Sequence, residues 1–122
     1  MEIGKKIWAI AEGYIPGWST GEGREMISHE AACILNAGDT EAHIELTIYF
    51  ADKEPVGPYT IKVAPKRTLH LRFNELTDPQ PVPTGTDYSS VFVSDVPVVI
   101  QHTRLDSRQA ANALLSTVAF SQ

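Results

Sequence analysis

The chain has 122 residues, 43% of them hydrophobic and 20% charged, with a formal net charge of −5. This length fits one domain over residues 1–122, near the common size of about 100 to 150 residues. With no basic run longer than Lys66-Arg67, the acidic balance argues against nucleic acid as the principal ligand. The longest apolar runs, such as residues 96–100, fall well short of the ~18 to 20 residues that span a bilayer, so a soluble protein without direct membrane insertion is expected.

Near the N-terminus, Lys5 and Lys6 precede no long apolar stretch with a small-residue cleavage site, and a cytoplasmic location follows as the expectation. Residues 6–12, K-I-W-A-I-A-E, are too short for a free-standing helix and apolar on both faces. They predict a buried strand with Trp8, Ile10 and Glu12 on one face. Residues 13–23 have the glycine and proline content of a loop. On it Tyr14 and Trp18 either offer flat rings to a sugar or pin the loop to the core.

Residues 26–35 predict a strand with Ile27, His29, Ala31, Cys33 and Leu35 on one face, so His29 stands in an apolar stripe, as a core histidine or as a ligand group. Ser28-His29-Glu30 is no catalytic triad, because consecutive strand residues point to opposite faces. Cys33 is the single cysteine, which suits a reducing compartment. Residues 36–39, N-A-G-D, read as a turn with Gly38 free to take positive φ, joining this strand to the next as a hairpin.

Residues 43–50 alternate cleanly, with Ile44, Leu46, Ile48 and Phe50 on one face. A proline and glycine loop at 53–58 leads to a short strand at 59–63. The strand at 67–73 buries Leu69, Leu71 and Phe73, leaving Thr68, His70, Arg72 and then Asn74 on a polar face suited to solvent, a subunit contact or a pocket. Pro79, Pro81 and Pro83 predict an extended surface crossing.

After a short strand at 88–93 and a turn at Ser94-Asp95 comes V-P-V-V-I-Q-H-T-R-L-D-S-R, residues 96–108, the stretch around which the chain is organised. Period-2 alternation puts Val98, Ile100, His102, Arg104 and Asp106 on one face, which changes from core to charge partway along. Such a strand suits a pocket floor, with Arg104 as a planar donor fork oriented by Asp106 and Trp8 as a flat wall. It equally suits an ion pair that ties the strand end to a loop. Residues 109–115 read as a turn or helical turn, and 116–120 as a closing strand.

The sum is an all-β antiparallel β-sandwich of about seven or eight short strands with little helix. No phosphate-cradling or nucleophile-elbow motif is present. The four histidines fall on different predicted strands without the paired spacing of a zinc site, so neither metal nor cofactor is expected. An enzyme would use Glu12 or Asp106 as general base with His102, yet no reaction has all its parts, and a non-enzyme is expected.

Several blocks together carry a resemblance: W-A-I-A-E-G-Y-I-P (8–16), S-H-E (28–30), I-L-N-A-G (34–38), D-K-E-P-V-G-P-Y (52–59), R-F-N (72–74) and Q-H-T-R-L-D-S-R-Q-A (101–110). Nearly end to end, the chain resembles the sensory rhodopsin transducer family. The resemblance implies a small β-sandwich assembling as a homotetramer, and a soluble cytoplasmic protein that couples to a membrane sensory rhodopsin. It also implies kinship with small prokaryotic domains that bind sugars or other small polar ligands. Trp8, Glu12, His29, Arg72, Asn74, His102, Arg104 and Asp106 lie in the matching blocks and would carry that binding. The alternatives are a carbohydrate-related enzyme and a purely structural oligomer.

Overall fold

The computed structural model describes residues 2–122. Its strands are β1 (Lys5–Tyr14), β2 (His29–Asn36), β3 (Ala42–Phe50), β4 (Val56–Val63), β5 (Arg67–Arg72), β6 (Asp87–Asp106), β7 (Ala113–Val118) and β8 (Phe120–Ser121). Helix is confined to 3-10 turns at Arg24–Met26 and Phe73–Glu75. Every pairing is antiparallel, as the short alternating segments and proline or glycine turns predict.

The 20-residue strand β6 belongs to both layers. Its first half lies between β1 and β3, giving the order β4-β3-β6-β1-β8, and its second half lies between β2 and β7, with β5 beyond β2. The layers face each other across one hydrophobic cluster, to which β2 and the second half of β6 contribute Ile34 and Ile100, and the opposite layer Ile44, Leu46 and Phe92. Ile44, Leu46 and Ile48 are buried at alternate positions of β3 as expected. The proline crossing is fastened by Tyr59, whose hydroxyl donates to the Gln80 carbonyl at 2.7 Å.

Five local expectations are corrected. Ser94-Asp95 is not a turn: β6 runs through it, and the register against β1 slips between the Lys5–Val98 and Ile7–Val93 pairs. Extra residues in a strand bulge it and increase its twist, which lets one strand serve two layers. Residues 36–39 do turn, but β2 pairs with β5 and β6, so the chain crosses to the other layer where a hairpin was expected. The buried Asn36 amide drives that exit, donating to Thr40 O (2.8 Å) and Val63 O (3.1 Å) while its oxygen accepts from Gly38 N (3.0 Å). Gly38 does not use a positive φ.

The core face of β2 is also the opposite of the expected one: Glu30, Ala32, Ile34 and Asn36 are buried, while Leu35 is exposed and His29 and Cys33 are half-buried. Both faces of this strand are apolar in sequence, so alternation could not choose between them. Finally, the closing strand begins earlier than expected, at Ala113, and divides. Ala119 donates its N–H to Ile100 O at 3.0 Å between β7, which pairs with β6, and β8, which pairs with β1.

Candidate functional site

Strand register assembles the site. Glu30 on β2 lies directly opposite Arg104 on β6, and Ala32 opposite His102, so the Glu30, His102 and Arg104 side chains share one face. Glu30 is 0% exposed. One carboxylate oxygen bonds His102 Nε2; the other accepts from Arg104 Nε and, at 3.1 Å, from the Tyr14 backbone N–H. A buried carboxylate survives only when its lone pairs are met in this way. Asn74 fixes the strand beneath it, accepting from Glu30 N at 3.2 Å and donating to Ser28 O at 3.0 Å.

Glu12 closes the network from outside. Its carboxylate accepts from Arg104 Nη1 at 2.9 Å, although its side chain is 80% exposed. Trp8 and Ile10 point into the core, and strict alternation would send Glu12 after them. Instead the register slips between Ile10–Ser90 and Gly13–Tyr88, a bulge that turns Glu12 outward. The Arg104 hydrogen bond holds the Glu12 carboxyl below its usual range. Burial works against the Arg104 charge, but hydrogen bonds to Glu12 and Glu30 more than offset it and raise its pKa.

Tyr88 lies behind the network. Its ring covers Gly13, where an added Cβ would fall 2.4 Å from Cε2, and packs 5.5 Å from the Phe73 ring. Its hydroxyl is buried without a partner among the described residues, as is Arg104 Nη2. Burial, and then the Glu30 charge, push the phenol ionisation strongly upward.

A cavity of about 300 Å³ opens on the network between β1, β6, β7 and β8. Glu12, His102, Arg104 and Thr117 give it a polar side, and Ile10, Leu115, Val118 and Phe120 an apolar one. A few convergent polar groups in a largely apolar recess is the usual make-up of a small-molecule site.

Three of the eight candidate residues, Glu12, His102 and Arg104, therefore meet at one cavity. Trp8 does not join them: it is 4% exposed in the core, with Nε1 donating to Lys5 O at 2.9 Å. Asp106 does not orient Arg104 either. It pairs with Arg108 at 2.7 Å, which lowers its pKa, and lines a second cavity of about 440 Å³ beside Trp18. His29 bonds the Ile27 carbonyl at 2.7 Å. Arg72 donates to Arg24 O at 3.0 Å next to the exposed Arg24–Glu75 pair. Asn74, in a 3-10 turn and so off the β5 face, serves the backbone of β2.

The sequence of residues 3–121 matches the family model described as Anabaena sensory rhodopsin transducer. The chain belongs to that family. Among solved structures, it is 56% identical to the Anabaena sensory rhodopsin transducer, with TM-score 0.76 over 84% of this chain and 100% of the other. It is 35% identical to Thermotoga maritima 1070, with TM-score 0.85 over 98% of this chain and 96% of the other. No curated protein matches the chain.

For this transducer-family member, sequence reasoning missed Glu30, on which the site is built, because the wrong face of β2 was assigned to the core. The one signal that contained it was the S-H-E block of the family resemblance. The apolar wall from β7 and β8 was missed because residues 109–115 were expected to turn. Among the described residues, no group of three or more His, Cys, Asp and Glu could hold a metal ion, and no helix is long and apolar enough to cross a membrane.

Proposed function

We propose that this protein is a cytoplasmic signal transducer that reversibly binds a small polar ligand, a sugar or related metabolite, in the cavity at Glu12, His102 and Arg104. The observation that carries the reading is the convergence of those three side chains on an apolar-walled recess backed by the buried Glu30. A sensory rhodopsin is the candidate membrane partner, in keeping with the family. Assembly as a homotetramer agrees with β7, where every residue is exposed, Leu114 at 70%. A strand that buries nothing within its own chain gains its stability from a further contact.

The test is calorimetric titration with a panel of sugars and sugar acids, with the ligand recovered and analysed afterwards. Saturable binding that returns the ligand intact and weakens in Arg104→Lys supports the reading. Turnover that disappears in Glu12→Gln would make the protein an enzyme instead. Sedimentation at micromolar protomer reads the assembly, and a monomer there would remove the tetramer.

A further inference from the structure

The Arg104 guanidinium is incompletely used. Its Nε–H is committed to Glu30, and Nη1 donates to Glu12 at 2.9 Å, while Nη2 is buried with no partner among the described residues. A planar fork of this kind is suited to two parallel bonds with one carboxylate. Glu12 supplies one of them, from an exposed side chain on a bulge. A donor left unsatisfied in a buried place is costly, so a carboxylate that takes the place of Glu12, uncovers Nη2 and meets both Nη1 and Nη2 has an advantage over Glu12.

His102 adds a second requirement. Its Nε2 faces the Glu30 carboxylate, an acceptor, which calls for a proton on that nitrogen and leaves Nδ1 as the ring's second polar atom. Among the described residues nothing bonds that nitrogen, and the ring lines the cavity. A ligand hydroxyl would satisfy it. The opposite wall, Ile10, Leu115, Val118 and Phe120, takes a carbon skeleton.

We infer that the cavity is built for a small hydroxy-carboxylate, whose carboxylate displaces Glu12 from Arg104 while a hydroxyl bonds His102 Nδ1, so that Glu12 is a built-in competitor and not a ligand contact. The inference rests on the cavity being the binding site, as proposed above, and deepens it by naming the ligand class. Charge permits the exchange. Glu30 and Arg104 neutralise each other, and replacing the Glu12 carboxylate by another leaves the balance around the guanidinium unchanged. A neutral polyol cannot replace that second charge.

The probes are 3-hydroxybutyrate, its amide, butyrate and glucose, titrated into the full chain and followed by amide chemical shifts of β7 and β8 and by calorimetry. The expected order is 3-hydroxybutyrate tightest, butyrate weaker by about 3- to 10-fold for the lost hydroxyl bond, and the amide and glucose weaker still. Glu12→Gln should tighten 3-hydroxybutyrate about 5- to 10-fold by removing the competitor, and Arg104→Lys, which keeps the charge but removes the fork, should weaken 3-hydroxybutyrate and reduce the preference for acid over amide. Equal binding of acid and amide, or weaker acid binding in Glu12→Gln, overturns the inference. If glucose alone binds at the cavity, the hydroxy-carboxylate fails while the ligand-binding function stands. If no probe shifts the β7 and β8 amides, and the wider panel of sugars and sugar acids is equally silent, both readings fail.

Discussion

Replacing Glu30 by Gln tests whether the buried carboxylate holds the second half of β6 in place. The substitution keeps the volume of a side chain that is 0% exposed, but the amide turns a donor toward at least one of three donors now facing Glu30: His102 Nε2, Arg104 Nε and Tyr14 N. Arg104 also loses its buried counter-charge and keeps only the exposed Glu12. Breaking a buried pair from one side costs roughly 3 to 5 kcal/mol. For 122 residues, at about 2.1 cal/mol/K of unfolding entropy per residue, that loss lowers the melting temperature by about 12 to 20 °C. Differential scanning calorimetry at fixed protomer concentration reads it, since any assembly makes the midpoint concentration-dependent. Glu12→Gln is the control: it touches the same guanidinium from solvent and should leave the midpoint nearly unchanged. A Glu30→Gln midpoint within about 3 °C of the parent, or equal shifts in the two variants, would refute the anchoring role.

Gly13→Ala should destabilise by about 1 to 3 kcal/mol, because its Cβ would fall 2.4 Å from the Tyr88 ring, and urea midpoints measure the loss. Asn36→Ala should cost about 1 to 3 kcal/mol in the same assay, since it strips partners from the Thr40 and Val63 carbonyls and the Gly38 N–H. Acid should weaken the fold in a defined direction. Asp95 and Asp106 have folded-state pKa values below their ordinary ones, through hydrogen bonds from His43 and Arg108 respectively. Their contribution is complete above the ordinary carboxylate values and is lost as the pH falls through the folded ones, so thermal midpoints should decline below about pH 4. A flat profile between pH 5 and 3 would contradict those pairings.

What could be read in the sequence was local. The alternation of Ile44, Leu46 and Ile48 needs no partner to be seen, because their β3 neighbours His43 and Glu45 are charged or polar and stay exposed. The change from Val98 and Ile100 to His102 and Arg104 announces a strand leaving the core for the same reason. In β2 that contrast is missing: Ala31 and Cys33 on one face are as apolar as Ala32 and Ile34 on the other, and only the layer packed against it decides which face is inside. The outward turn of Glu12 escaped for a different reason. Its position depends on a bulge set by β6, and period-2 counting carries no information about an inserted residue.

The hidden Glu30 nonetheless accounts for why β2 settles as it does. A one-residue slip of a strand exchanges its two faces completely. Applied to β2, it would replace Glu30 by His29 or Ala31 opposite Arg104, carry the carboxylate to the half-buried face and leave the guanidinium with Glu12 alone. Because Ala32 and Ile34 could trade places with Ala31 and Cys33 or with Cys33 and Leu35 at modest hydrophobic cost, burial by itself separates these registers weakly. The paired charge separates them strongly, since an unpartnered buried ion costs several kcal/mol while the native pairing satisfies His102, Arg104 and Tyr14 at once. The residue that breaks the apolar pattern of β2 is thus the one that selects its register, and the same selection aims Arg104 and His102 at the cavity.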